Sequence, residues 1–225
     1  LKREDMKKLA DPFINELRMS SDTKILFHNI FTNGIAYIKL IFSLEKIPSE
    51  LIPYIGILKD VLGFVDTKSY SYGELFNEIN IETGGISTGM NSYQNAKNLQ
   101  DYKVTFELKT RVLYDKMDRA FDLMKEIMLS SKLSDTKRLY EIINELKSHL
   151  HGSMSSAGHS LAAMRAMSYF SKGALISEVT GGIAFYRLLE DLEENFEEKK
   201  DELVAKLQQL AISIFRPENL FVDYT

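Results

Sequence analysis

The sequence contains no cysteine among its 225 residues, and this absence excludes several kinds of chemistry. Disulfide bonds, thiolate zinc sites, iron–sulfur clusters and cysteine nucleophiles all require a thiol. A chain without cysteine is compatible with a reducing or an oxidising compartment, so the cysteine count does not localise the protein. We expect the cytoplasm for a bacterial source and an organelle for a eukaryotic one.

Long apolar runs and an excess of basic residues are also missing. No apolar run reaches the roughly 18–20 residues that a membrane-spanning helix needs. The 28 Lys and Arg residues stand against 32 Asp and Glu, which gives a net charge of −4 and argues weakly against nucleic-acid binding. The sequence therefore predicts neither a membrane nor a nucleic acid as a partner. The opening "LKREDMKKLADPF" lacks the apolar core of a signal peptide and begins at leucine, so we expect a piece of a longer chain.

The first third of the sequence predicts a helix followed by two strands. Residues 3–18 have the pattern of a charged helix interrupted near Pro12. Residues 24–31 and 35–44 predict strands joined as a hairpin, because Asn33-Gly34 favours the positive φ angles of a tight turn. Alternation in the second strand predicts one buried face, and apolar residues on its other face suggest burial there too. The first face carries Ala36, Ile38, Leu40, Phe42 and Leu44, and the other face carries Ile35, Tyr37 and Ile41.

A pair of helices follows the strands. Pro48-Ser49-Glu50 opens the first, which carries an apolar stripe at three- and four-residue spacing: Leu51, Tyr54, Ile55, Leu58, Leu62 and Val65. Ser71-x-x-Glu74 is a capping box for the second helix, and Gly84-Gly85 ends it.

The rest of the sequence predicts two more strands and then a helical block. Residues 86–93 predict a strand, and residues 102–113 alternate between an apolar set and a solvent-facing set that includes Lys103, Thr105, Glu107 and Lys109. Helices are predicted over 115–130, 134–151, 157–172, 182–194 and 196–212, and a strand is predicted within the last ten residues. The predicted fold class is α+β, a mainly antiparallel sheet packed against a helix pair and a C-terminal helical block.

The order of these elements, together with two stretches of sequence, resembles the insulinase (pitrilysin-type) zinc metallopeptidase family. The stretches are "TNGIAYIKLIFSL" and "ELIPYIGILKDVLGFVDTKSYSYGELFNEINIETGGIS". Within the family, the chain is most similar to the presequence-protease branch and to the domain that opens its second, non-catalytic half. The resemblance runs from about Ile25 to Tyr114. Beyond Tyr114 it depends on the order of the helices and on "TGGIAFYRLLEDL".

This resemblance implies a function for the parent protein rather than for the fragment. Family members enclose unfolded peptides in a chamber between two halves, and zinc binds only in the first domain. The fragment is then not an enzyme and holds no cofactor, whereas the parent is expected to be a zinc metalloendopeptidase. Its partners would be the other domains of the same polypeptide and unfolded peptide substrates. Residues 1–20 would end a helical linker, residues 21–225 would form the domain, and residues 218–225 would lead to the last domain.

The resemblance also places the family's zinc motif on this sequence. His-x-x-Glu-His lies in the helix before the polar turn, and counting back from Thr67 places it approximately on residues 57–61, with Ile57, Asp60 and Val61 in the functional slots. Zinc requires imidazole nitrogens or carboxylates, and residues 48–83 contain no histidine, so no shift of register restores the motif. We therefore expect no catalytic and no metal-binding residue here, and the substrate-binding residues stay unknown.

Weaker candidate sites lie on the chain's four histidines, His28, His149, His151 and His159. His28 is expected to be an exposed or hydrogen-bonded strand residue. His149 and His151 are two residues apart, and on a helix that spacing directs their side chains away from each other. The segment "HGSMSSAGHS" over 151–160 is predicted to be a helix break.

Other patterns permit more than one interpretation. Leu161, Met164 and Met167 are predicted to be core residues rather than a binding groove. The acidic run "EDLEENFEEKKDE" over 190–202 could attract basic peptides but favours a solvated helix face. Lys103, Lys109 and Arg111 could contact a substrate or a neighbouring domain.

Two alternatives to the peptidase domain stay open at this point. The first is a self-contained interaction module whose helices over 134–212 bind a protein partner. The second, weaker alternative is a hydrolase that uses the segment 149–160.

Overall fold

A computed structural model describes residues 2, 5, 14–95 and 97–225 of the chain. Most of the helix predicted over 3–18 lies outside the described residues. Its described end is not helical, because Glu16–Ser20 forms a strand, β1, that pairs with β2. The boundary predicted at residue 20 between linker and domain stays a prediction, although this pairing makes Glu16–Ser20 part of the sheet.

The centre of the fold is a sheet to which the described part of the chain contributes six strands, in the order β1-β2-β6-β3-β5-β4. Its strands are β1 (Glu16–Ser20), β2 (Thr23–Phe27), β3 (Ile35–Ser43), β4 (Ile86–Asn95), β5 (Asn98–Leu113) and β6 (Leu220–Tyr224). Neighbouring strands are antiparallel except β2 and β6, which run parallel. The mainly antiparallel sheet is therefore confirmed.

The predicted hairpin of β2 and β3 is wrong, because β6 lies between these two strands. The Asn-Gly turn itself is present: Asn33 and Gly34 have φ angles of 54° and 82°, and the Ile35 N–H donates to the Thr32 carbonyl. Residues 28–34 carry the chain past β6 to β3. Local turn chemistry was therefore correct, but it could not reveal a competing strand from the far end of the sequence. Leu220–Tyr224, at that far end, is an interior strand of the sheet, and the prediction that residues 218–225 lead to the last domain stays a prediction.

Among the described residues, seven α-helices pack with the sheet around one hydrophobic core. They are α1 (Ile52–Val61), α2 (Tyr72–Glu82), α3 (Met117–Ser130), α4 (Thr136–Met167), α5 (Lys172–Gly181), α6 (Ile183–Glu194) and α7 (Phe196–Ile214). The helices predicted over 115–130, 182–194 and 196–212 agree with α3, α6 and α7 to within two residues. The α+β class is confirmed.

One face of β3 faces this core, as the alternation predicted. Ala36, Ile38 and Phe42 are at most 3% exposed. The other face is not buried as expected: Tyr37 is 47% exposed, and Ile35 and Ile41 are only partly covered. Apolar residues on both faces of a strand therefore did not indicate a strand covered on both sides.

The break predicted over 151–160 is present as a kink within α4. The two helices expected on either side of it join in one long element whose backbone is non-helical at Ala157, with φ and ψ angles of −135° and 33°. Beyond the kink no residue of α4 is fully buried, and Met167 is 54% exposed, so the core role predicted for this stretch is wrong there. Three-residue apolar spacing does not distinguish a core helix from one whose apolar face has no neighbour within the chain.

The helix ends follow their predicted chemistry. The Ser71 side chain accepts a hydrogen bond from the Glu74 N–H, and the Glu74 carboxylate accepts one from the Ser71 N–H, which completes the capping box. Gly63 and Gly85, which follow α1 and α2, have positive φ angles of 87° and 104° that suit glycine. Within the described residues, no helix is both long and apolar enough to cross a membrane.

Candidate functional site

Helix α1 carries the positions on which the family's zinc motif was expected. Ile57 and Val61 are both 0% exposed and belong to the hydrophobic core. Asp60 is partly exposed and pairs with the neighbouring Lys59. Two buried aliphatic side chains and one ion-paired carboxylate do not fit a zinc ion, which needs several converging nitrogen or oxygen donors and an open position for water.

Within the described residues, the histidines are not brought together with other metal-ligating side chains either. Across the part of the chain that the structure describes, no three His, Cys, Asp or Glu side chains are grouped to hold a metal ion. His149, His151 and His159 are exposed on α4, and the helix directs His149 and His151 apart. His28 follows β2; its Nδ1 lies 2.9 Å from the Ile14 carbonyl oxygen and its Nε2 lies 3.3 Å from Asp223. This hydrogen-bonded role agrees with the prediction for His28.

The face of the sheet opposite the core is unexpectedly rich in polar side chains, and we call it the open face. Successive strand residues point to opposite sides, so the neighbours of the buried Phe106 and Leu108 point here. The strand register aligns the open-face residues in rows across β4, β5, β3 and β6. They include Tyr37, Lys39, Asn91, Tyr93, Thr105, Glu107, Lys109, Arg111 and Asp223.

A fully buried carboxylate, Glu107, lies in the middle of the open face. Its side chain is 0% exposed although it was predicted to face solvent. The carboxylate accepts hydrogen bonds from Asn91 at 2.6 Å, from Tyr93 at 2.6 Å and from Thr105 at 3.0 Å, and Lys109 Nζ lies 2.9 Å away. Burial alone would raise the pKa of Glu107, but these four donors together outweigh burial and hold the pKa below its ordinary value.

The sequence did not reveal that Glu107 is buried, because the side chains that cover it belong to another strand. The prediction assigned 103, 105, 107 and 109 to a solvent-facing side by alternation within β5 alone. In the structure, the Asn91 and Tyr93 side chains of β4 reach over Glu107, and Gly89 is its cross-strand neighbour. The polar stretch "NSY" of β4 was the available signal, but only the strand register shows which residue it covers.

A second buried carboxylate, Glu178 of α5, connects three helices. One oxygen accepts hydrogen bonds from Arg165 of α4 and from the Ala184 N–H at the start of α6, each at 3.1 Å. The other oxygen lies so close to Gly182 that an added Cβ would be 2.1 Å from it. Glu178 therefore acts as a cap for α6 and a link to the outer part of α4, and Gly182 is the residue that leaves room for it.

The acidic run lies where α6 meets α7, beside the start of α4. Together these elements line a hollow of about 590 Å³. Its carboxylates include Glu194 and Glu198, which are exposed, and Glu193, which pairs with Lys147. The run is thus a largely solvated surface of two helices, as the sequence favoured.

We expect Tyr93→Phe to remove one high-pH titration step and to cost about 1–2 kcal/mol of stability. Burial, the hydrogen bond to Glu107 and nearby negative charges raise the pKa of Tyr93 from 10 to about 12. The raised pKa means that neutral Tyr93 stabilises the fold fully below pH 10 and that this stability is lost as the pH rises towards 12. Tyrosinate absorbance follows this titration without interference from tryptophan, which the chain lacks.

The matched control is Tyr37→Phe. Tyr37 lies on the same face and has the same exposed fraction as Tyr93, 47%. It should leave stability nearly unchanged, because no hydrogen bond to its hydroxyl is found among the described residues. Equal effects of the two substitutions would contradict the role assigned to the Tyr93–Glu107 hydrogen bond.

Comparison with known proteins agrees with this structure. The family model described as associated with peptidase M16, subfamily C, matches residues 1–192. Protein HypA of Clostridium perfringens is 32% identical over 225 residues, which is all of this chain and 23% of that protein. The mitochondrial presequence protease of Yarrowia lipolytica is 29% identical over 181 residues, or 80% of this chain and 18% of that protein. That of Saccharomyces cerevisiae is 29% identical over 194 residues, or 84% and 20%.

A solved structure supports the fold alone. The crystal structure of a conserved protein from Enterococcus faecalis V583 matches with a TM-score of 0.60 and 13% sequence identity, over 90% of this chain and 46% of that one. The chain spans only about a fifth of the length of the curated relatives it matches.

The structure defines an α+β domain whose helix α1 carries core residues at the positions where the family's metal ligands were expected. The chain belongs to the family of domains associated with peptidase M16, subfamily C. Its resemblance to the presequence-protease branch of the insulinase peptidases is confirmed by the relatives that carry the name presequence protease.

Proposed function

We propose that this chain belongs to a presequence-protease-like zinc metalloendopeptidase, in which another domain holds the zinc. The chain would form part of the wall of the chamber that encloses the peptide, and we call it a wall domain. The observation that carries the proposal is the interior of α1, where Ile57 and Val61 are fully buried core residues at the positions expected for metal ligands. A domain of this family without a metal centre contributes surface rather than bond cleavage. The parent polypeptide would supply zinc, the activated water and the remaining walls.

The open face is the surface that we assign to the peptide chamber. It offers hydroxyl, amide and cationic groups that can hydrogen-bond an unfolded chain, whereas the opposite face of the sheet is occupied by the core. Contacts of this kind, remote from the bond that is cleaved, supply binding energy that can be used for orientation in the transition state. The partners of the domain are then unfolded peptides and the neighbouring domains, and the linker proposed over residues 1–20 ends in β1, which is already part of the sheet.

The proposal is tested by measuring bound zinc and peptide cleavage for two proteins, the purified chain and the parent polypeptide. The purified chain, incubated with excess zinc and freed of unbound metal, should retain well below one zinc per chain and should not cleave an unstructured peptide. The parent polypeptide, treated identically, should retain zinc and cleave the peptide in a chelator-sensitive manner. The chain's inertness follows from the poor fit of α1 to a metal ion.

Two outcomes would contradict this proposal. One tightly bound zinc with chelator-sensitive cleavage by the chain alone would assign catalysis to this domain, and the segment from His149 to His159 would be the place to look. A parent that neither binds zinc nor cleaves peptides would remove the peptidase role.

The interaction module stays a second hypothesis, because one observation favours it. The turn between α4 and α5 presents Tyr169 and Phe170, which are 73% and 91% exposed. Large exposed aromatic side chains are typical of contact surfaces. In the wall domain that we propose, the same side chains would contact another domain of the parent.

A further inference from the structure

A hollow of about 340 Å³ lies at one end of the open face, beside the Gly84-Gly85 turn. Three strands and the turn contribute its lining. Tyr37 comes from β3, Ser87 from β4, and Lys109 and Arg111 from β5. Among the described residues, the lining carries the positive charges of Lys109 and Arg111 and includes no carboxylate. It has three hydroxyl groups, those of Tyr37, Ser87 and Thr110, and the Thr110 hydroxyl already donates to the Gly85 carbonyl oxygen. Its chemistry is therefore that of a hydrogen-bond donor site for an oxyanion.

The side chain of Arg111 contacts the backbone of Gly84. Its Nε donates to the Gly84 carbonyl oxygen at 3.2 Å, and its aliphatic stem lies over Gly84, where an added Cβ would be 2.5 Å from Arg111 Cγ. Among the described residues no partner is found for its terminal guanidinium nitrogens. Arg111 is exposed, and this contact leaves its terminal nitrogens available as a fork, which is the geometry that binds a carboxylate with two hydrogen bonds.

Lys109 is anchored in a comparable way. One of its N–H groups points to the buried Glu107 at 2.9 Å, while the side chain is 43% exposed. An ammonium group has three N–H donors, so donors are left for a ligand after the contact with Glu107. Glu107 thus fixes the position of the ammonium group without lining the hollow itself.

The strand register adds a third cation nearby. Lys39 of β3 is directly opposite Lys109 of β5, and like charges in directly opposite positions are destabilising. Asp223 lies 3.4 Å from Lys39, and Glu107 pairs with Lys109. Both carboxylates are paired with lysines of the sheet, so the groups that face an incoming ligand are hydrogen-bond donors.

We propose that this hollow binds a carboxylate group of a peptide, with Lys109, Arg111, Tyr37 and Ser87 as donors. The carboxylate can be the C-terminal α-carboxylate or the side chain of Asp or Glu, since the two share the same planar oxyanion. The choice of a peptide as the carrier rests on the function proposed above. The volume is within the range of small-molecule sites and accommodates a terminal residue rather than a folded partner.

Three fluorescent peptides of one uncharged, unstructured sequence test the proposal with the full chain. The first has a free C-terminus, the second a C-terminal amide, and the third a C-terminal amide and one glutamate. We expect the amidated neutral peptide to bind at least about tenfold more weakly than the best carboxylate peptide. The difference should shrink as the salt concentration rises, because screening weakens the attraction of exposed charges.

Variants locate the site. Arg111→Gln should weaken binding of the carboxylate peptide about tenfold, whereas Arg111→Lys should keep part of it, because charge remains but the fork is lost. Tyr37→Phe should weaken binding severalfold without loss of stability. Lys103→Gln, on the same strand and face but outside the lining of the hollow, is the matched control and should bind like the unmodified chain. Circular dichroism checks that each variant is folded.

The outcomes separate this site from the proposed function. Stronger binding of the free C-terminus supports recognition of the chain end, and stronger binding of the glutamate peptide supports recognition of an acidic side chain. Equal binding of all three peptides, or binding that is unaffected by Arg111→Gln and Tyr37→Phe, overturns the site even where the parent cleaves peptides. If the carboxylate peptides bind through Arg111 but the parent is not a peptidase, the site stands and the proposed function fails.

Discussion

Replacing Gly56 with alanine should destabilise the protein by about 2–3 kcal/mol. Gly56 lies in the buried α1, where a Cβ would be 2.6 Å from the Thr180 carbonyl oxygen and 2.7 Å from the Phe185 ring. The first of these atoms belongs to the backbone of α5 and the second to a buried ring of α6. Neither can move aside without separating α1 from the two helices, so the clash outweighs the gain of up to about 1 kcal/mol in helix propensity.

Chemical denaturation of the two proteins measures this loss as a lower midpoint at unchanged slope. Gly73→Ala is the matched control: Gly73 also lies within a helix, α2, but an added Cβ there has no atom within 4 Å. We expect Gly73→Ala to be neutral or stabilising by up to about 1 kcal/mol. If Gly56→Ala behaved like Gly73→Ala, the close packing of α1 against α5 and α6 would be contradicted.

The amphipathic patterns predicted the elements of the fold well, because each records a local property of the chain. The stripe from Leu51 to Val65 is buried except at Tyr54, which is only partly covered, and the capping box at Ser71 forms. Contacts between distant segments could not be predicted in this way. The insertion of β6 between β2 and β3 depends on a strand almost 200 residues away, and no local pattern contains that information. The role of Gly56 is equally non-local, since the atoms near it belong to α5 and α6.

The candidate sites also differ in whether the local sequence reveals them or only the folded structure does. The missing metal ligands of α1 were evident from the sequence, because the absence of histidine over 48–83 holds for every register. The hollow at Arg111 was not evident, although Lys103, Lys109 and Arg111 had been noted as cations of one face. Only the structure shows that Lys109 and Arg111 line one hollow together with Tyr37 and Ser87, while Lys103 lies outside that lining.

Glu107→Ala should be the most destabilising change on the open face, with an expected loss of about 3 kcal/mol or more at neutral pH. The substitution leaves the Asn91, Tyr93 and Thr105 donors without their common acceptor and removes the partner of Lys109. Glu107→Gln keeps the shape but introduces a donor where only acceptors fit, so we expect a loss of about 2 kcal/mol. Glu218→Gln is the exposed control, and its effect should stay within about 0.5 kcal/mol.

The pH dependence of this loss distinguishes a buried ionised carboxylate from a purely structural side chain. The donors around Glu107 hold its pKa below the ordinary value of 4.5, so its ionised form favours the folded state. This contribution is fully present above pH 4.5 and is lost as the pH falls through the lowered pKa. The stability difference between the unmodified chain and Glu107→Gln should therefore be constant from pH 6 to 8 and should shrink on acidification below about pH 4.5. A difference that stays constant down to pH 3 would show that Glu107 has the same pKa in the folded and the unfolded protein, which contradicts the effect assigned to its donors. A difference that instead falls as the pH rises from 4.5 to 8 would show that Glu107 is protonated in the folded protein. That outcome would remove the anionic anchor from Lys109, and with it the positioning that we assign to this lysine in the carboxylate site.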